Sequence, residues 1–245
     1  MRQASPVLAV RGATKRFGGL VAVNAMDFDV AEHQVMGLIG PNGSGKSTTL
    51  NLISGALPLT AGTISLRGTP ISGLPAQTIT RKGVSRTFQL VRLLPSMTVL
   101  DNVVAGAVFG HRRLWGAEAR AQAETLLERV GLGGQGHLPV GQLTYIDTKR
   151  VELARTLAGD PKLLLLDEWL AGLNPTELQI GIDLIRSLRD EGRTIILVEH
   201  VMDAIRSLCD RCVVMAAGTK IAEGTPAEVL SDAEVIRAYL GDDDA

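Results

Sequence analysis

The phosphate-loop pattern G-x-x-x-x-G-K-[ST] is matched near the start of the chain by Gly40-Pro41-Asn42-Gly43-Ser44-Gly45-Lys46-Ser47. The flanking sequence also fits, because Val35 to Ile39 is typical of a buried strand and Ser47 to Ser54 of the helix that follows, with Gly55 at its end. The glycines allow a tight turn whose backbone N–H groups face one point, and the helix start adds the positive end of a dipole. This stretch therefore predicts a cup for a polyphosphate.

Two side chains of the loop carry the chemistry expected of such a cup. Lys46 would reach the β and γ phosphates as a point charge, and the Ser47 hydroxyl would bind the Mg²⁺ that bridges them. A glycine loop that merely joins two core elements is the structural alternative, but it leaves Lys46 and Ser47 unexplained.

Length and charge narrow the class of protein. A chain of 245 residues can form one large domain or a domain with a lobe. The formal net charge of -1 gives no basic field, so no nucleic-acid partner is expected. Apolar residues make up 45% of the chain but are dispersed, with no run near the roughly 18 to 20 residues that span a bilayer. Met1 to Ala9 lacks the apolar core of a secretory signal.

Hydrophobic patterning predicts an α/β fold. Leu8 to Val30 reads as short antiparallel strands, whereas Leu163 to Leu166 and Thr194 to Val198 are apolar runs typical of strands covered on both faces. Helical spacing appears over Ala117 to Val130 and Asp147 to Leu157. The order of strand, phosphate loop, helix, intervening lobe and then alternating strands and helices indicates an α/β nucleotide-binding core with inserts.

The C-terminal part of the chain carries helix-start signals and the two cysteines. The capping boxes Thr225-Pro226-Ala227-Glu228 and Ser231-Asp232-Ala233-Glu234 predict two closing helices, and the acidic residues 241–245 predict a frayed tail. Cys209 and Cys212 have neither a second cysteine pair nor a nearby histidine. We expect buried thiols of a reducing compartment rather than a zinc site.

Other candidate site residues follow from position. Asp167 and Glu168 end a buried apolar run, where ligands bind in open α/β sheets, and suggest a metal ligand and a base. His200 ends the next buried strand, and both a structural and a catalytic role stay open. Phe17 lies in a turn and could stack on an adenine or pack against its own sheet.

Several motifs follow one another at the spacing of a known family. Arg86-Thr87-Phe88-Gln89 comes after the phosphate loop, and narrower cues occur at Phe17-Gly18-Gly19-Leu20, Asn51-Leu52-Ile53-Ser54-Gly55, Leu173-Asn174-Pro175 and Ala222-Glu223-Gly224-Thr225-Pro226. Over nearly its full length the chain resembles the ATP-binding subunit of an ABC transporter, of the branched-chain amino-acid importer type. The resemblance implies a single domain over 1–245, built from a P-loop NTPase (ABC ATPase) core, an antiparallel β subdomain, a helical subdomain over about 90–160 and closing helices over about 225–241.

The resemblance also implies roles for individual residues. Catalysis would fall to Glu168 as base or water-orienting group, to His200 at the γ-phosphate, and to Gln89 and Lys46. Mg²⁺ would be held by Ser47, Gln89 and Asp167. ATP would be contacted by Phe17, Gly40, Pro41, Asn42, Gly43, Ser44, Gly45, Lys46, Ser47, Thr48 and Thr144, the last from the opposite subunit.

The partners implied by the resemblance are transmembrane permease subunits, a second ATP-binding subunit in a homodimer or heterodimer, and indirectly a solute-binding protein. ATP hydrolysis would energise import of branched-chain or related amino acids from the cytoplasmic face of the inner membrane. Importers of this type use two different ATPase subunits. The partner usually lacks glutamine at the position of Gln89, so Thr-Phe-Gln points to one specific subunit of the pair.

The chain departs from the family at its signature, which usually reads Leu-Ser-x-Gly-Gln. Here Thr144 keeps a hydroxyl, Ile146 replaces the glycine that lets backbone approach phosphate, and Asp147 adds a negative charge. Asp147 could instead cap the helix and point away. The alternative function is therefore a nucleotide-binding subunit with a degenerate signature, which regulates or scaffolds the transporter with little turnover. Trp169 is a second departure, at a position where the family often has proline.

Overall fold

Two β-sheets, one mostly parallel and one antiparallel, organise the chain, of which the computed structural model describes residues 5–240. The strands are β1 Leu8–Phe17, β2 Leu20–Val30, β3 Val35–Ile39, β4 Ala61–Leu66, β5 Thr69–Pro70, β6 Val84–Arg86, β7 Leu163–Asp167, β8 Ile195–Val198, β9 Arg211–Ala216 and β10 Thr219–Gly224. The helices are α1 Lys46–Ile53, α2 Ala76–Arg81, α3 Val99–Phe109, α4 Gly116–Arg129, α5 Tyr145–Ala158, α6 Pro175–Asp190, α7 Met202–Leu208, α8 Pro226–Ser231 and α9 Ala233–Leu240, with a 3₁₀ turn at Val140–Gln142.

The larger sheet has the strand order β10-β9-β3-β8-β7-β6, and all its neighbours are parallel except the β9–β10 hairpin. Because parallel strands point the same way, the carboxyl ends of β3, β6, β7 and β8 meet at one edge. The register pairs Asp167 with Val198 across β7 and β8. The phosphate loop, Gln89, Glu168 and His200 therefore all leave the sheet from the same side, as the sequence predicts for an α/β fold.

Both faces of this sheet are covered. Along β7, Leu163 and Leu165 belong to one buried apolar cluster, with α1 and the strands of the smaller sheet. Leu164 and Leu166 belong to another, with residues of α3 to α7. The alternation follows from the period of two in a β-strand. The prediction that Leu163 to Leu166 is a strand buried on both faces is thus confirmed.

The smaller sheet is antiparallel, with the order β2-β1-β4-β5, and it confirms the short antiparallel strands expected over Leu8 to Val30. The hairpin that joins β1 to β2 pairs Phe17 with Leu20 across its turn. A hydrogen bond from Asn24 N to Gly218 O links β2 to the β9–β10 turn. The antiparallel sheet thereby carries Phe17 to the side of the phosphate loop.

Helices α3, α4 and α5 fall in the range 90–160 that is predicted to form a helical subdomain, and the subdomain division itself stays a prediction. The sequence shows no helical period over Leu90 to Asn102, yet α3 begins at Val99. Its buried side chains include Val99, Leu100 and Val103, and its other positions are mostly apolar as well, which erases the periodic signal. Thr98 caps the helix by accepting a hydrogen bond from Asp101 N.

The two closing helices are present, but one of their predicted starts is wrong. Thr225 and Glu228 form the expected capping box of α8. Ser231 does not start α9, because it is still helical in α8 and its hydroxyl donates to Ala227 O and Glu228 O. The cap of α9 is instead the neighbouring Asp232, which accepts from Glu234 N and Val235 N. The predicted tail over 241–245 lies outside the described residues.

The cysteines behave as buried thiols. Cys209 and Cys212 are both free and buried. Both thiols pack against Gly37 of β3, where a Cβ atom would lie 2.9 Å from Cys212 Sγ and 3.0 Å from Cys209 Sγ.

Within residues 5–240, no helix is both long enough and apolar enough to cross a membrane.

We predict that removing the cap of α6 destabilises the fold. Asn174 accepts a hydrogen bond from Glu177 N, and the Glu177 side chain accepts one from Asn174 N. Asn174→Ala should lower the free energy of unfolding by about 1 kcal/mol. Urea denaturation followed by circular dichroism measures the change. Thr176→Ala, at an exposed position of the same turn, is the control and should stay within about 0.5 kcal/mol of the parent.

Candidate functional site

The phosphate loop follows β3 directly, and glycine is required at two of its positions. Gly40 has φ 148°, and a Cβ atom there would lie 2.1 Å from Met215 O of β9. Gly45 has φ 104°, and a Cβ atom there would lie 2.6 Å from Ala22 O of β2. Both positions also have left-handed backbone that disfavours other residues. The loop therefore packs against both sheets at distances that exclude any side chain.

Lys46 is the first residue of α1 and is buried. Its Nζ donates to Gly40 O at 2.8 Å and to Pro41 O at 2.9 Å, so the ammonium group is held beneath the loop. Burial lowers the pKa of Lys46, while the charges of Glu168 and Asp167 oppose that change. An anion bound in the loop would favour the charged form still further.

The carboxylate of Glu168 links two other predicted site residues. Gln89 Nε2 donates to Glu168 Oε2 at 2.7 Å, and His200 Nε2 lies 2.8 Å from Glu168 Oε1. Because an ionised carboxylate only accepts hydrogen bonds, the proton of His200 in this contact is on Nε2. Glu168 has φ 49°, a left-handed backbone conformation that is uncommon for a residue other than glycine.

Asp167 lies behind Glu168 and is buried. Its Oδ2 accepts a hydrogen bond of 2.6 Å from Arg86, whose guanidinium also donates to Asn51 Oδ1. Its Oδ1 is buried with no hydrogen-bond partner within the described part of the chain. Sequence reasoning did not single out Arg86, although β6 and β7 are neighbouring parallel strands whose carboxyl ends must lie together.

These elements enclose a cleft of about 620 Å³. The predicted residues that line it are Phe17, Asn42, Gly43, Ser44, Gly45, Lys46, Ser47, Thr48, Gln89 and Glu168. Phe17 is 46% exposed, so its ring faces the cleft rather than packing into its own sheet. The Lys15 ammonium lies 5.0 Å from the centre of that ring.

One wall of the cleft was not predicted. It consists of Val21 and Ala22 of β2 and of Ala217 and Gly218 in the β9–β10 turn. The turn is fixed to the phosphate loop, since Gly218 N donates to Ser44 O at 3.0 Å. The only sequence signal for this wall is the hairpin glycine, which does not reveal what the hairpin contacts.

The run that departs from the family signature forms the start of α5. Thr144 is the N-cap and accepts from Asp147 N, while its hydroxyl donates to Asp147 Oδ2 at 2.6 Å. Asp147 Oδ1 pairs with Arg150 at 3.0 Å. The Asp147 carboxylate is thus engaged by its own helix, and Thr144 is not among the residues that line the cleft.

Metal binding at this site would depend on the substrate. Within residues 5–240 there is no group of three or more histidine, cysteine or acidic residues that could hold a metal ion by themselves. Magnesium is commonly bound by one or two carboxylates together with substrate phosphates and water. Ser47, Gln89 and Asp167 offer oxygen atoms of that kind, and the unpartnered Oδ1 of Asp167 is a free acceptor in the described region.

Comparisons with known proteins agree with this geometry. The family model described as "ABC transporter" matches residues 23–171, and the model described as "Branched-chain amino acid ATP-binding cassette transporter" matches residues 219–245. The high-affinity branched-chain amino acid transport ATP-binding protein LivG of Salmonella typhimurium is 43% identical, over 97% of this chain and 98% of that protein.

Solved structures have the same fold. The ADP conformation of an ATP-binding cassette of an ABC transporter matches with a TM-score of 0.88 and 30% identity, over 98% of this chain and all of that one. A dimeric, post-hydrolysis ATP-binding cassette bound to ADP and Pi matches with a TM-score of 0.81 and 25% identity, over 89% of this chain and 98% of that one. The chain therefore belongs to the ATP-binding proteins of ABC transporters, in the branch related to branched-chain amino-acid transport.

Proposed function

We propose that this chain binds and hydrolyses ATP to energise an ABC importer for branched-chain or related amino acids. The observation that carries the proposal is the Glu168 carboxylate, held between Gln89 and His200 beside a complete phosphate loop. The family and the full-length relatives support the transport role. No finding favours the alternative of a scaffold with little turnover.

ATP binding is assigned to the cleft. The loop from Gly40 to Thr48 offers backbone N–H groups and the start of α1 to the phosphates, and Lys46 adds a positive charge beneath them. Phe17 presents an exposed ring to the same cleft, where we propose that an adenine stacks on it. The chemistry of these groups matches the two ends of ATP.

We assign Mg²⁺ to Ser47, Gln89 and Asp167, whose oxygen atoms suit it and whose single carboxylate leaves room for phosphate and water ligands. When bound, the ion neutralises charge on the β and γ phosphates. The hydrogen bond between Arg86 and Asp167 fixes the orientation of this carboxylate and leaves Oδ1 without a partner in the described region, so that Oδ1 would be available to the ion.

In the hydrolysis step Glu168 orients a water and accepts its proton. The water oxygen forms a bond to the γ phosphorus while the bond from that phosphorus to the ADP oxygen breaks, which gives ADP and inorganic phosphate. Gln89 and His200 hold the Glu168 carboxylate on both of its oxygens, so its direction is fixed before the substrate arrives. The same hydrogen bond places the His200 ring beside Glu168, where we propose that it lies next to the γ-phosphate.

We assign the chain to the cytoplasmic face of the inner membrane, bound to permease subunits and supplied by a solute-binding protein. A second ATP-binding subunit completes the nucleotide site, as the dimeric cassette structure supports. Thr144, at the start of α5, is proposed to contact the nucleotide of that second subunit. Because Asp147 is paired with Arg150, its charge opposes an incoming phosphate less than an isolated carboxylate would.

We predict that Glu168→Gln binds ATP normally but hydrolyses it about 10²- to 10⁴-fold more slowly, because the amide cannot accept the proton of water. Steady-state phosphate release and ATP titration by calorimetry measure the two effects separately. Glu124→Gln makes the same chemical change at an exposed position of α4, and it should leave both values unchanged. Normal turnover in Glu168→Gln would remove Glu168 from the mechanism.

We also predict that Glu168→Gln dimerises when Mg²⁺ and ATP are present, because slow hydrolysis preserves the ATP-bound pair. Light scattering after gel filtration should give about twice the 26.0 kDa mass of one chain. The double variant Glu168→Gln with Lys46→Ala, which loses a phosphate contact, is the control and should stay monomeric. A Glu168→Gln variant that binds ATP yet stays monomeric would instead require a partner subunit of different sequence.

A further inference from the structure

Three charged side chains are buried directly behind the site without lining the cleft. Lys149 is 1% exposed, Glu152 is 0% exposed and Glu199 is 1% exposed. Burying a charge is unfavourable unless hydrogen bonds and opposite charges compensate for it. Each of these three residues makes a hydrogen bond to the backbone beside a residue of the proposed catalytic set, and we call them the buried charged cluster.

Glu152, on α5, holds the segment that contains Gln89. Its Oε1 accepts from Phe88 N and from Arg92 N, each at 3.3 Å. These two N–H groups lie on either side of Gln89 in the chain. One carboxylate oxygen therefore fixes both ends of the short loop from which Gln89 reaches Glu168.

Lys149 lies three residues earlier on α5, on the same helical face as Glu152. Its Nζ donates to Trp169 O at 2.9 Å, and Trp169 Nε1 donates back to Lys149 O at 3.1 Å. This reciprocal pair fixes the residue that directly follows Glu168. A proline at position 169 has no indole N–H to donate, so the departure from the family at this position creates the second of the two hydrogen bonds.

Glu199 completes the buried charged cluster from β8 and its continuation. Its Oε1 accepts from Leu170 N at 2.7 Å, and the next residue in the chain is His200. Burial raises the pKa of Glu199 to about 7, a rise that the hydrogen bond from Leu170 and the charge of Lys149 oppose. Burial likewise raises the pKa of Glu152, and the charge of Lys149 is among the groups that oppose it. The charge of Lys149 thus favours the ionised form of both buried carboxylates, and at Glu152 it adds to that of Arg155, whose guanidinium lies 4.0 Å from Oε1.

We propose that Lys149, Glu152 and Glu199 are positioning residues for Gln89, Glu168 and His200, with Lys149 and Glu152 acting from α5 and Glu199 from the position that follows β8. They act through the backbone, since none of them lines the cleft. The inference rests on the proposed ATPase function, because that is the reaction whose groups are positioned. It also means that a rotation of α5 moves Gln89 and the residue after Glu168 together.

The kinetic test compares three variants of α5. Glu152→Leu should lower kcat about 10- to 100-fold while the KM for ATP changes less than about threefold, because Gln89 is misplaced but the phosphate loop is intact. Glu152→Gln should keep most of the activity, because its amide oxygen still accepts from Phe88 N and Arg92 N. Leu153→Ala, at a fully buried neighbour, should lower the melting temperature without lowering kcat of the folded protein.

A second readout does not depend on catalysis. Amide hydrogen exchange in the full chain should be about tenfold faster, or more, over residues 88–92 in Glu152→Leu, and at Leu170 in Glu199→Leu, with each variant leaving the other segment protected. Wild-type chain with no ATPase activity would refute the proposed function alone. Unchanged exchange at 88–92 in Glu152→Leu, or a kcat loss in Leu153→Ala equal to that in Glu152→Leu, would overturn the positioning role.

Discussion

The hydrogen bonds that the Glu168 carboxylate accepts from Gln89 and His200 depend on the order of three neighbouring strands. Gln89 follows β6, Glu168 follows β7, and His200 follows β8, so the residue after the middle strand meets side chains from both sides. Parallel pairing brings the three strand ends to one edge, and the register sets how far each chain continues beyond it. A shift of one residue in β7 would turn Glu168 away from both partners.

Some of the charged side chains at this edge of the sheet line the cleft, and others are buried behind it. Glu168 and Lys46 both line the cleft, where we propose that the phosphates of ATP bind. Asp167 is buried and forms an ion pair with Arg86, whose guanidinium also donates a hydrogen bond to Asn51 on α1. The adjacent carboxylates therefore have different surroundings, which agrees with the separate roles we propose for them: Asp167 to hold the metal ion and Glu168 to accept a proton.

The sequence indicated that certain residues meet at one edge of the sheet, because those residues follow a linear pattern. The phosphate loop, Asp167, Glu168 and His200 lie at the ends of apolar runs, and parallel pairing brings such ends together. The wall formed by the β9–β10 turn was not predictable, because it depends on how the two sheets pack. Lys149 and Glu152 were missed for another reason: charged residues in an amphipathic helix usually face solvent, and α5 is covered on more than one side. Tertiary packing, and not periodicity, decides which polar residues of such a helix are buried.

Helix α5 connects two features that the sequence presents separately. At its N-terminus, Thr144 caps the helix and donates a hydrogen bond to Asp147, and Asp147 forms an ion pair with Arg150. Its next turn contains Lys149 and Glu152, which hold the backbone beside Glu168 and Gln89. In the proposed dimer, a contact that a second subunit makes at Thr144 would act on the same rigid helix that positions this subunit's own catalytic groups. Such coupling is reciprocal, so the arrangement of Gln89 and Glu168 in one cleft would in turn change how well α5 receives the nucleotide of the other.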